Sequence, residues 1–310
     1  MSALPSIPVL IPSYQGREAL LACIESVLAS RDVEVQLLVV DDGSTDGSAG
    51  AVRERFPTCE VLEHGENRGF ASACNTGFEA LLERGVDRIL LLNQDTLVAP
   101  DALVRLHGFL DAHPSAGVVG PKTFSCTRAA CCGERLLYAG SWRSRLPLRQ
   151  RIPGIEQVEP TPSHDSVQTD YVWGHGMLLR TDALRAAGPF DPAFPMYYED
   201  LDLCARVRAA GFELWCDRSA VVWHDIVDGA RASSSEFWRW ACKVESVGIY
   251  HRKHHARLAA LALTPMTVLA EVLQLLRHGK WTAARHLALA GLRRGIGRKD
   301  AVRPSPAAGA

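Results

Sequence analysis

The sequence lacks the signals that define several large classes of protein. Its 310 residues contain no C-x-x-C pair at zinc-site spacing, and their formal net charge is −1. This balanced charge argues against an electrostatic partner for the whole protein, such as bulk nucleic acid. The N-terminus MSALPSIPVLIPSY has no basic stretch before its apolar residues, which argues against a signal peptide. We therefore expect a cytoplasmic protein whose nine cysteines are reduced thiols.

Two common nucleotide-binding signatures are also missing. No G-x-x-x-x-G-K-[ST] occurs, and no G-x-G-x-x-G follows the first predicted strand. These absences argue against a P-loop and against a Rossmann dinucleotide site.

No apolar run is a convincing transmembrane helix. The nearest candidate, residues 258–276, is 19 residues long but contains Pro265 and Glu271. A spanning helix needs about 20 predominantly apolar residues. The pattern therefore favours a helix that lies on a membrane or packs on the protein over one that spans.

Short apolar runs alternate with helical patterns through the first hundred residues. The runs PVLIPSY, VEVQLLVVDD, CEVLEH and RILLLNQD predict strands, and the segments between them have helical apolar spacing. Near-continuous apolar strands are typical of a parallel sheet that is buried on both faces. The alternation predicts an α/β fold, with a Rossmann-like, mainly parallel sheet flanked by helices.

The rest of the chain predicts a different organisation. Residues 125–168 are rich in Arg, Pro and Gly and predict a loop-rich insertion near the site. DYVWGHGMLLR predicts a strand with a Gly-x-Gly break, TDALRAAG and EDLDLCARVRAAG predict helices, and FELWCDRSAVVWH predicts a last strand pair. We expect a catalytic domain over residues 1–228. A basic, amphipathic helical region would follow over 229–310, with about the last eight residues disordered.

Polar residues follow three of the predicted strands, in IPSY, VVDDGSTDGS and LLLNQDT. The carboxylates of Asp41 and Asp42 can accept hydrogen bonds from a nucleobase or a ribose, or they can cap the next helix. Asp95, in an N-x-D arrangement with Asn93, can coordinate a hard divalent cation or serve as a turn residue. Because ligands bind beyond the carboxyl ends of strands in such sheets, we expect one shared site.

The segment ENRGFASACNTG predicts a close approach of backbone to a ligand. Gly69 stands at a small-residue turn that enters a helix, where an anion is well placed. Asn67, Arg68 and Asn75 could then orient a diphosphate or a ribose.

Three acids crowd the segment MYYEDLDLCARVRAAGF. Glu199 and Asp200 are predicted to precede a helix and Asp202 to lie in its first turn, where the helix dipole favours acids. Helix capping explains Asp202. The aromatic neighbours of Glu199 and Asp200 would desolvate these acids, which raises a carboxylate pKa and makes a better base. Farther on, His224 in VVWHD is either a structural histidine or a ligand for a divalent metal.

Seven segments together resemble the inverting family-2 glycosyltransferases of the GT-A fold, which has a mixed, mainly parallel sheet. They look most like the bacterial branch with rhamnosyltransferases and galactofuranosyltransferases. In chain order they are IPSY, VVDDGSTDGS, NRGFASACNTG, LLLNQDT, WGHGMLLR, FDPAFPMYYEDLDLCARVRAAGF and AVVWH, within residues 7–225. The resemblance implies that Asp41 binds the nucleobase in a pocket lined by Pro12 and Tyr14. It also implies a general base at Asp200.

The resemblance further implies a divalent metal, Mg²⁺ or Mn²⁺, bound by Asp95, with His224 as a further ligand of the metal or of the diphosphate. The motif there is Asn-Gln-Asp instead of Asp-x-Asp, which leaves one fewer charge for the cation, and position 15 is Gln where the family usually has Asn. The sugar pocket is expected in residues 125–168 and 171–176. Gly174 would then lie on the donor side, and Trp173 with Glu199 on the acceptor side.

The implied reaction moves a sugar from a nucleoside-diphosphate sugar to a hydroxyl of a glycan or a lipid-linked acceptor, in the synthesis of cell-envelope polysaccharide. The resemblance favours dTDP-rhamnose as the donor, with UDP-sugars next. Two alternatives stay open. A sugar-phosphate nucleotidyltransferase usually has a Gly-rich signature with Lys or Arg after the first strand, and IPSYQGREAL lacks it. The other is a non-catalytic nucleotide-sugar or carbohydrate-binding protein on the same fold.

The C-terminal region combines apolar faces with cations. Trp238, Trp240, the HRKHH run at 251–255, the apolar stretch 258–276 and the RRGIGRK end all suit an anionic membrane surface. We expect either peripheral contact with the inner face of the cell membrane, or packing on the catalytic body or on another subunit of a homo-oligomer.

Overall fold

The computed structural model describes residues 4–126, 135–143, 150–151, 164–225, 236–277 and 279–295. The strands are β1 (Ser6–Ser13), β2 (Glu34–Asp41), β3 (Glu60–Glu63), β4 (Arg88–Leu92), β5 (Thr96–Val98), β6 (Ala116–Cys126), β7 (Leu136–Tyr138), β8 (Trp142–Arg143), β9 (Gln150–Arg151), β10 (Val167–Gln168), β11 (Gly176–Arg180) and β12 (Glu213–Asp225). The helices are α1 (Arg17–Leu28), α2 (Ser48–Arg55), α3 (Phe70–Glu83), α4 (Ala102–Ala112), α5 (Thr181–Ala187), α6 (Glu199–Ala209), α7 (Glu236–His254), α8 (Arg257–Arg277) and α9 (Trp281–Gly295).

The main sheet has the order β10-β12-β6-β11-β4-β1-β2-β3, with β5 paired to β12 and β7 to β6. The strands β3, β2, β1, β4, β6 and β12 run in one direction, and β11 runs antiparallel between β4 and β6. The carboxyl ends of the parallel strands therefore meet the amino end of β11 at one edge. The predicted mixed, mainly parallel sheet is confirmed.

Helices cover both faces of this sheet because the strand side chains alternate between two apolar clusters. In β1, Val9 packs with α1, α2 and α4 on one face. The next residue, Leu10, packs with α3, α5 and α6 on the other. The near-continuous apolar runs in the sequence thus reflect strands that are buried on both sides.

The structure differs from the predicted elements in three places. The segment FELWCDRSAVVWH belongs to one strand, β12, with a register shift between Asp217 and Val221, instead of a strand pair. Helix α6 begins at Glu199, so Glu199 and Asp200 start the helix instead of preceding it. Between Thr96 and Cys126 the chain adds β5, α4 and β6, which the predicted alternation did not include. Much of the predicted insertion 125–168 and the predicted disordered tail lie outside the described residues.

The chain forms two compact units. The first comprises residues 1–143, 150–191 and 200–226, and the second comprises 144–149, 192–199 and 227–310. In the second unit, α7, α8 and α9 surround Val244, Leu287 and Ala290. The segment 192–199 belongs to this unit, where the main-chain oxygen of Met196 accepts a hydrogen bond from Ser246 Oγ at 2.8 Å. The sequence assigned that segment to the catalytic domain.

Helix α8 combines length with apolar composition. Within the described ranges it is the helix long and apolar enough to cross a membrane, with a mean hydropathy of 1.7.

Candidate active site

The loops that follow β1 and β4 are joined at the sheet edge by one side chain. Gln94 Oε1 accepts a hydrogen bond from the N–H of Tyr14 at 2.9 Å, and Gln94 Nε2 donates to the main-chain oxygen of Gln15 at 2.8 Å. Pro12 is buried beside β2, and the Tyr14 side chain is 45% exposed. The polar ends of β1, β2 and β4 therefore share one edge. Gln94 was not singled out from the sequence.

Asp41 ends β2 with a carboxylate that is only partly satisfied. The residue is 2% exposed, and its Oδ2 accepts the N–H of Ser44 at 2.9 Å. Its Oδ1 is buried and has no hydrogen-bond partner among the residues that the structure describes. Because a buried acceptor without a donor is costly, this oxygen suits a ligand N–H or O–H.

The neighbouring Asp42 has a different environment. Its Oδ1 accepts the N–H of Arg68 at 3.0 Å and lies 2.7 Å from His64 Nδ1, and its Oδ2 accepts the N–H of Gly69 at 2.8 Å. The prediction that Asp42 and the backbone at Gly69 contact a ligand stays a prediction, and within the protein these groups bind each other. Asp42 holds the loop between β3 and α3, while the side chains of Asn67 and Arg68 are exposed.

Asn75 also has a structural role. Its Nδ2 donates to the main-chain oxygen of Phe190 at 2.8 Å, and its Oδ1 accepts the N–H of Phe190 at 2.9 Å. This pair of hydrogen bonds ties α3 to the loop that follows α5. The prediction that Asn75 orients a diphosphate or ribose stays a prediction, and both polar atoms of its side chain are engaged within the protein.

The predicted metal residues lie together. His224, near the end of β12, places Nε2 3.1 Å from Asp95 Oδ1 and 3.4 Å from Asn93 Nδ2. Two ligands at about 2.1 Å from one cation, at a right angle, lie about 3 Å apart, so the Asp95–His224 spacing fits a shared divalent ion. Asn93 Oδ1 is a buried oxygen with no hydrogen-bond partner in the described part of the chain.

The protein alone does not complete a metal site. In the described ranges, no group of three or more His, Cys, Asp or Glu residues is placed to hold a metal ion. A cation at Asp95 and His224 would need further oxygens from another source.

A second histidine, His175, supports this cluster. Its ring centroid lies 4.7 Å from that of His224, and its Nε2 lies 2.8 Å from Thr123 Oγ1. Burial, aided by the proximity of His224, holds the pKa of His175 well below its usual value, so the ring is neutral. Its main-chain oxygen accepts the N–H of Asn93 at 3.2 Å. The sequence pattern gave no role to His175, which lies in the WGHGM segment.

Asp200, at the start of α6, is held by three donors. Its Oδ2 accepts the hydroxyl of Tyr171 at 2.6 Å and the N–H of Gly174 at 2.9 Å, and its Oδ1 accepts the N–H of Leu201 at 2.8 Å. Burial raises the pKa of the Asp200 carboxyl, although these hydrogen bonds oppose the shift. The N–H of Gly174 thus contacts Asp200, whereas the sequence predicted that Gly174 contacts the nucleotide-sugar donor. Tyr171 was missed.

Trp173 lies beside this carboxylate loop. Its ring meets that of His175 edge-on, with centroids 5.2 Å apart, and its Nε1 is buried with no hydrogen-bond partner among the residues described. An indole N–H that is buried in this way suits an oxygen acceptor on a ligand. Glu199 is also buried, and it lies at the end of the segment that belongs to the second unit.

The comparisons with known proteins concern the enzyme class and the fold. Residues 9–157 match the model of the family described as glycosyl transferase family 2. A similar curated protein is the N-acetylglucosaminyl-diphospho-decaprenol L-rhamnosyltransferase of Mycobacterium tuberculosis, 28% identical over 66% of this chain and 71% of that protein. The pre-mycofactocin glycosyltransferase of the same species is 30% identical over 71% of this chain and 42% of that protein.

A solved structure has the same fold. It is a mannosyltransferase from Pyrobaculum calidifontis in complex with GDP-Man and Mn²⁺, 18% identical, with a TM-score of 0.57 over 96% of this chain and 89% of that one. At this identity the likeness shows the fold alone. The fold is therefore of the GT-A type, and by the match over residues 9–157 and the similar curated proteins the chain is an enzyme of the glycosyltransferase class. The nucleotidyltransferase and the non-catalytic alternative lose their support.

Replacement of Asp42 by Asn tests whether this carboxylate holds the loop between β3 and α3. We expect Asp42→Asn to lower the free energy of unfolding by about 1–3 kcal/mol, because one side-chain oxygen cannot replace two that accept main-chain N–H groups. In Asp41→Asn we expect little change in stability, because among the described residues only the N–H of Ser44 donates to this carboxylate, and an amide oxygen can still accept it. Urea denaturation of both variants measures the difference. Equal stability of the two variants would contradict the structural role of Asp42.

Proposed function

We propose that the protein is an inverting glycosyltransferase that moves a sugar from a nucleoside-diphosphate sugar to an acceptor hydroxyl, with Asp200 as the general base. The observation that carries the proposal is the Asp200 carboxylate, whose pKa is raised by burial while three donors fix its orientation. A carboxylate of this kind is a better proton acceptor than an ordinary aspartate near neutral pH.

The donor's nucleoside binds at the ends of β1 and β2 in this proposal. The Asp41 Oδ1 that has no partner among the described residues accepts an N–H of the base, and Pro12 and Tyr14 line the pocket. The exposed side chains of Asn67 and Arg68 are available to the diphosphate or the ribose. We favour dTDP-rhamnose as the donor, with UDP-sugars next.

Asp95 and His224 would hold a divalent metal, with Asn93 Oδ1 directed to the same place. Their 3.1 Å spacing supports this assignment, as does the Mn²⁺ in the solved mannosyltransferase. When bound, such an ion neutralises charge that develops on a leaving diphosphate. Diphosphate oxygens and water would supply the ligands that the described residues do not.

The transfer itself is a single displacement. The acceptor hydroxyl gives its proton to Asp200, and its oxygen forms a bond to the anomeric carbon of the donor sugar. The bond from that carbon to the diphosphate oxygen breaks on the opposite face, and its electron pair stays on the diphosphate. Asp200 Oδ1 is suited to take the proton, because it accepts a hydrogen bond from the N–H of Leu201 whereas Oδ2 accepts two. Trp173 Nε1 is placed to donate to a sugar hydroxyl.

The acceptor is proposed to be a glycan on a lipid carrier. The similar rhamnosyltransferase of Mycobacterium tuberculosis is named for a diphospho-decaprenol acceptor, and a 33% identical region of 109 residues occurs in a polyprenol monophosphomannose synthase of Mycolicibacterium smegmatis. Such an acceptor would keep a cytoplasmic enzyme at the inner face of the cell membrane. The region 229–310 would make that contact, or it would pack on the protein or in a homo-oligomer.

Asp200→Asn tests the assignment of the base. We expect turnover to fall about 10²–10⁴-fold while donor affinity stays within a factor of about three, because the amide keeps the shape and loses the proton acceptor. Asp182→Asn is the matched control, since Asp182 also accepts the N–H of the next residue at a helix start. Turnover and calorimetric donor binding measure the two effects. Turnover near the wild-type value in Asp200→Asn would remove the role.

The pH dependence of the reaction tests the same carboxylate. Asp200 must be deprotonated to act, so kcat rises with pH through its pKa, which burial places above the usual aspartate value of about 3.9. The Tyr171 hydroxyl stabilises the charged form, so Tyr171→Phe should move this acidic limb to higher pH. Tyr138→Phe is the control, because the Tyr138 hydroxyl donates to the main-chain oxygen of Tyr171 and not to the carboxylate. If the acidic limb of the kcat profile stayed at the same pH in Tyr171→Phe, the assignment of Asp200 as the base would be refuted.

Asp95→Ala tests the metal assignment. We expect the concentration of Mn²⁺ needed for half-maximal donor binding to rise at least about tenfold, because the carboxylate is the charged ligand that the protein supplies. Asp101→Ala removes an exposed acid from the following turn, where it pairs with Arg105, and should leave the Mn²⁺ requirement unchanged. Titration of donor binding with Mn²⁺ measures both. An unchanged requirement in Asp95→Ala would exclude the role.

A further inference from the structure

The second unit contains a cationic pocket of about 630 Å³. Its lining includes Arg239 and Lys243 from α7, Lys280, and the exposed Trp281 at the start of α9. Such a volume is large enough for a polar headgroup, and all these residues belong to the one unit. The catalytic chemistry proposed above does not use this pocket.

The charges in the pocket favour an anion. Arg239 makes no hydrogen bond or ion pair with any residue that the structure describes, whereas Lys243 pairs with Glu271 at 2.9 Å. Lys280 precedes α9, whose first-turn residues also line the pocket. The first main-chain N–H groups of a helix have no partner within the helix and point away from its N-terminal end, where they favour an anion. No Asp or Glu is among the described residues that line the pocket. Arg, Lys and N–H donors together are the groups that recognise phosphate.

Helix α8 adds an exposed apolar face in the same unit. Leu258, Leu261 and Leu269 are 82%, 69% and 58% exposed, and Met266 and Leu273 are exposed as well. At 100° per residue these five side chains fall within an arc of about 140°. Arg257 and Arg277 bound the helix at its two ends. An apolar face with cations at its ends is typical of a helix that lies in a membrane interface.

The opposite face of α8 is bound to protein. Thr267 Oγ1 lies 2.9 Å from His251 Nε2, and Glu271 pairs with Lys243. Val268 and Leu275, which lie outside the exposed arc, pack against the core of this unit. Because one face is bound to protein and carries polar contacts, α8 suits a helix lying on a leaflet better than one that spans it.

We propose that the pocket binds the phosphate of an anionic phospholipid headgroup while the exposed face of α8 lies among the acyl chains of the same leaflet. The cationic lining of the pocket is complementary to a lipid that carries a phosphate. The exposed apolar face of α8 favours a bilayer over free phosphate as the binding partner. The proposal rests on the proposed function only in that a lipid-linked acceptor makes a membrane the relevant surface. Lipid binding itself needs neither donor nor turnover.

Vesicle binding by the full chain tests this proposal. The probes are vesicles of phosphatidylcholine alone and vesicles with about 30% phosphatidylglycerol, at constant ionic strength and without donor. Arg239→Gln should weaken binding to the anionic vesicles at least about tenfold. Arg252→Gln, an exposed charge elsewhere on α7, should weaken it no more than about fivefold, as expected for one diffuse charge near a membrane surface. Lys280→Gln repeats the test from the loop before α9.

The apolar face is tested by Leu261→Gln combined with Leu269→Gln. We expect this double variant to lose binding to both kinds of vesicle, because its exposed apolar area is reduced.

Three outcomes would contradict the proposal. Equal losses of vesicle binding in Arg239→Gln and Arg252→Gln would overturn the role of the pocket and show diffuse electrostatic attraction instead. Release of bound protein by millimolar inorganic phosphate at fixed ionic strength would show a free-phosphate site and overturn the lipid assignment. A dimer that the double variant dissociates, with vesicle binding unchanged, would show that a second copy covers the face.

Failure of this proposal and failure of the proposed function are distinguishable. Hydrolysis of the donor in the absence of acceptor reports the first unit, and we expect Arg239→Gln to leave its rate unchanged. Loss of vesicle binding with full hydrolysis supports the pocket. Loss of hydrolysis in Arg239→Gln would contradict a role confined to lipid.

Discussion

The parallel pairing of β1 with β2 and β4 is the constraint on which the candidate site depends. It places the ends of the three strands side by side, so Tyr14, Asp41 and Asn93 reach one edge from distant parts of the chain. The antiparallel β11 then brings its amino end to the same edge, with Gly176 opposite Leu92. A parallel strand in that position would have put the loop from Tyr171 to His175 at the other end of the sheet. The reversed direction of β11 is therefore a condition for holding Asp200 at the site.

The same edge contains buried carboxylates whose partners differ, and this difference separates their roles. Asp42 receives main-chain N–H groups from Arg68 and Gly69, so its burial is compensated within the fold. Asp41 Oδ1 is buried and has no hydrogen-bond partner among the described residues, which costs desolvation free energy. A hydrogen bond from a bound ligand would offset that cost. Asp200 lies between these cases. Its hydrogen bonds fix its orientation, but burial still raises its pKa, and a base needs both properties.

The amino-acid pattern predicted much of the fold because buried parallel strands are apolar on both faces. The family resemblance implied that Asp95 and His224 share one site, and they lie 3.1 Å apart. The amino-acid pattern did not separate Asp41 from Asp42, since the donors that satisfy Asp42 come from 26 and 27 residues along the chain. Such long-range pairing leaves no periodic trace in a single sequence.

Other features were out of reach for related reasons. Tyr171 and His175 stand in a run that predicts a strand, and only the pairing of β11 with β4 shows which strand end they occupy. Residues 192–198 precede α6 and Glu199 begins it, yet this segment packs in the second unit through contacts such as that of Ser246 with Met196. Sequence adjacency suggested the opposite assignment.

The anomeric configuration of the sugar released from the donor tests the central claim most directly. With Asp200 as a base and no covalent intermediate, water or an acceptor attacks the face opposite the diphosphate. Nuclear magnetic resonance spectra recorded in the first minutes of donor hydrolysis, before the free sugar equilibrates, distinguish the two anomers. The account predicts that the released sugar has the configuration opposite to that of the donor. Release with the donor's own configuration would contradict a single displacement at this site.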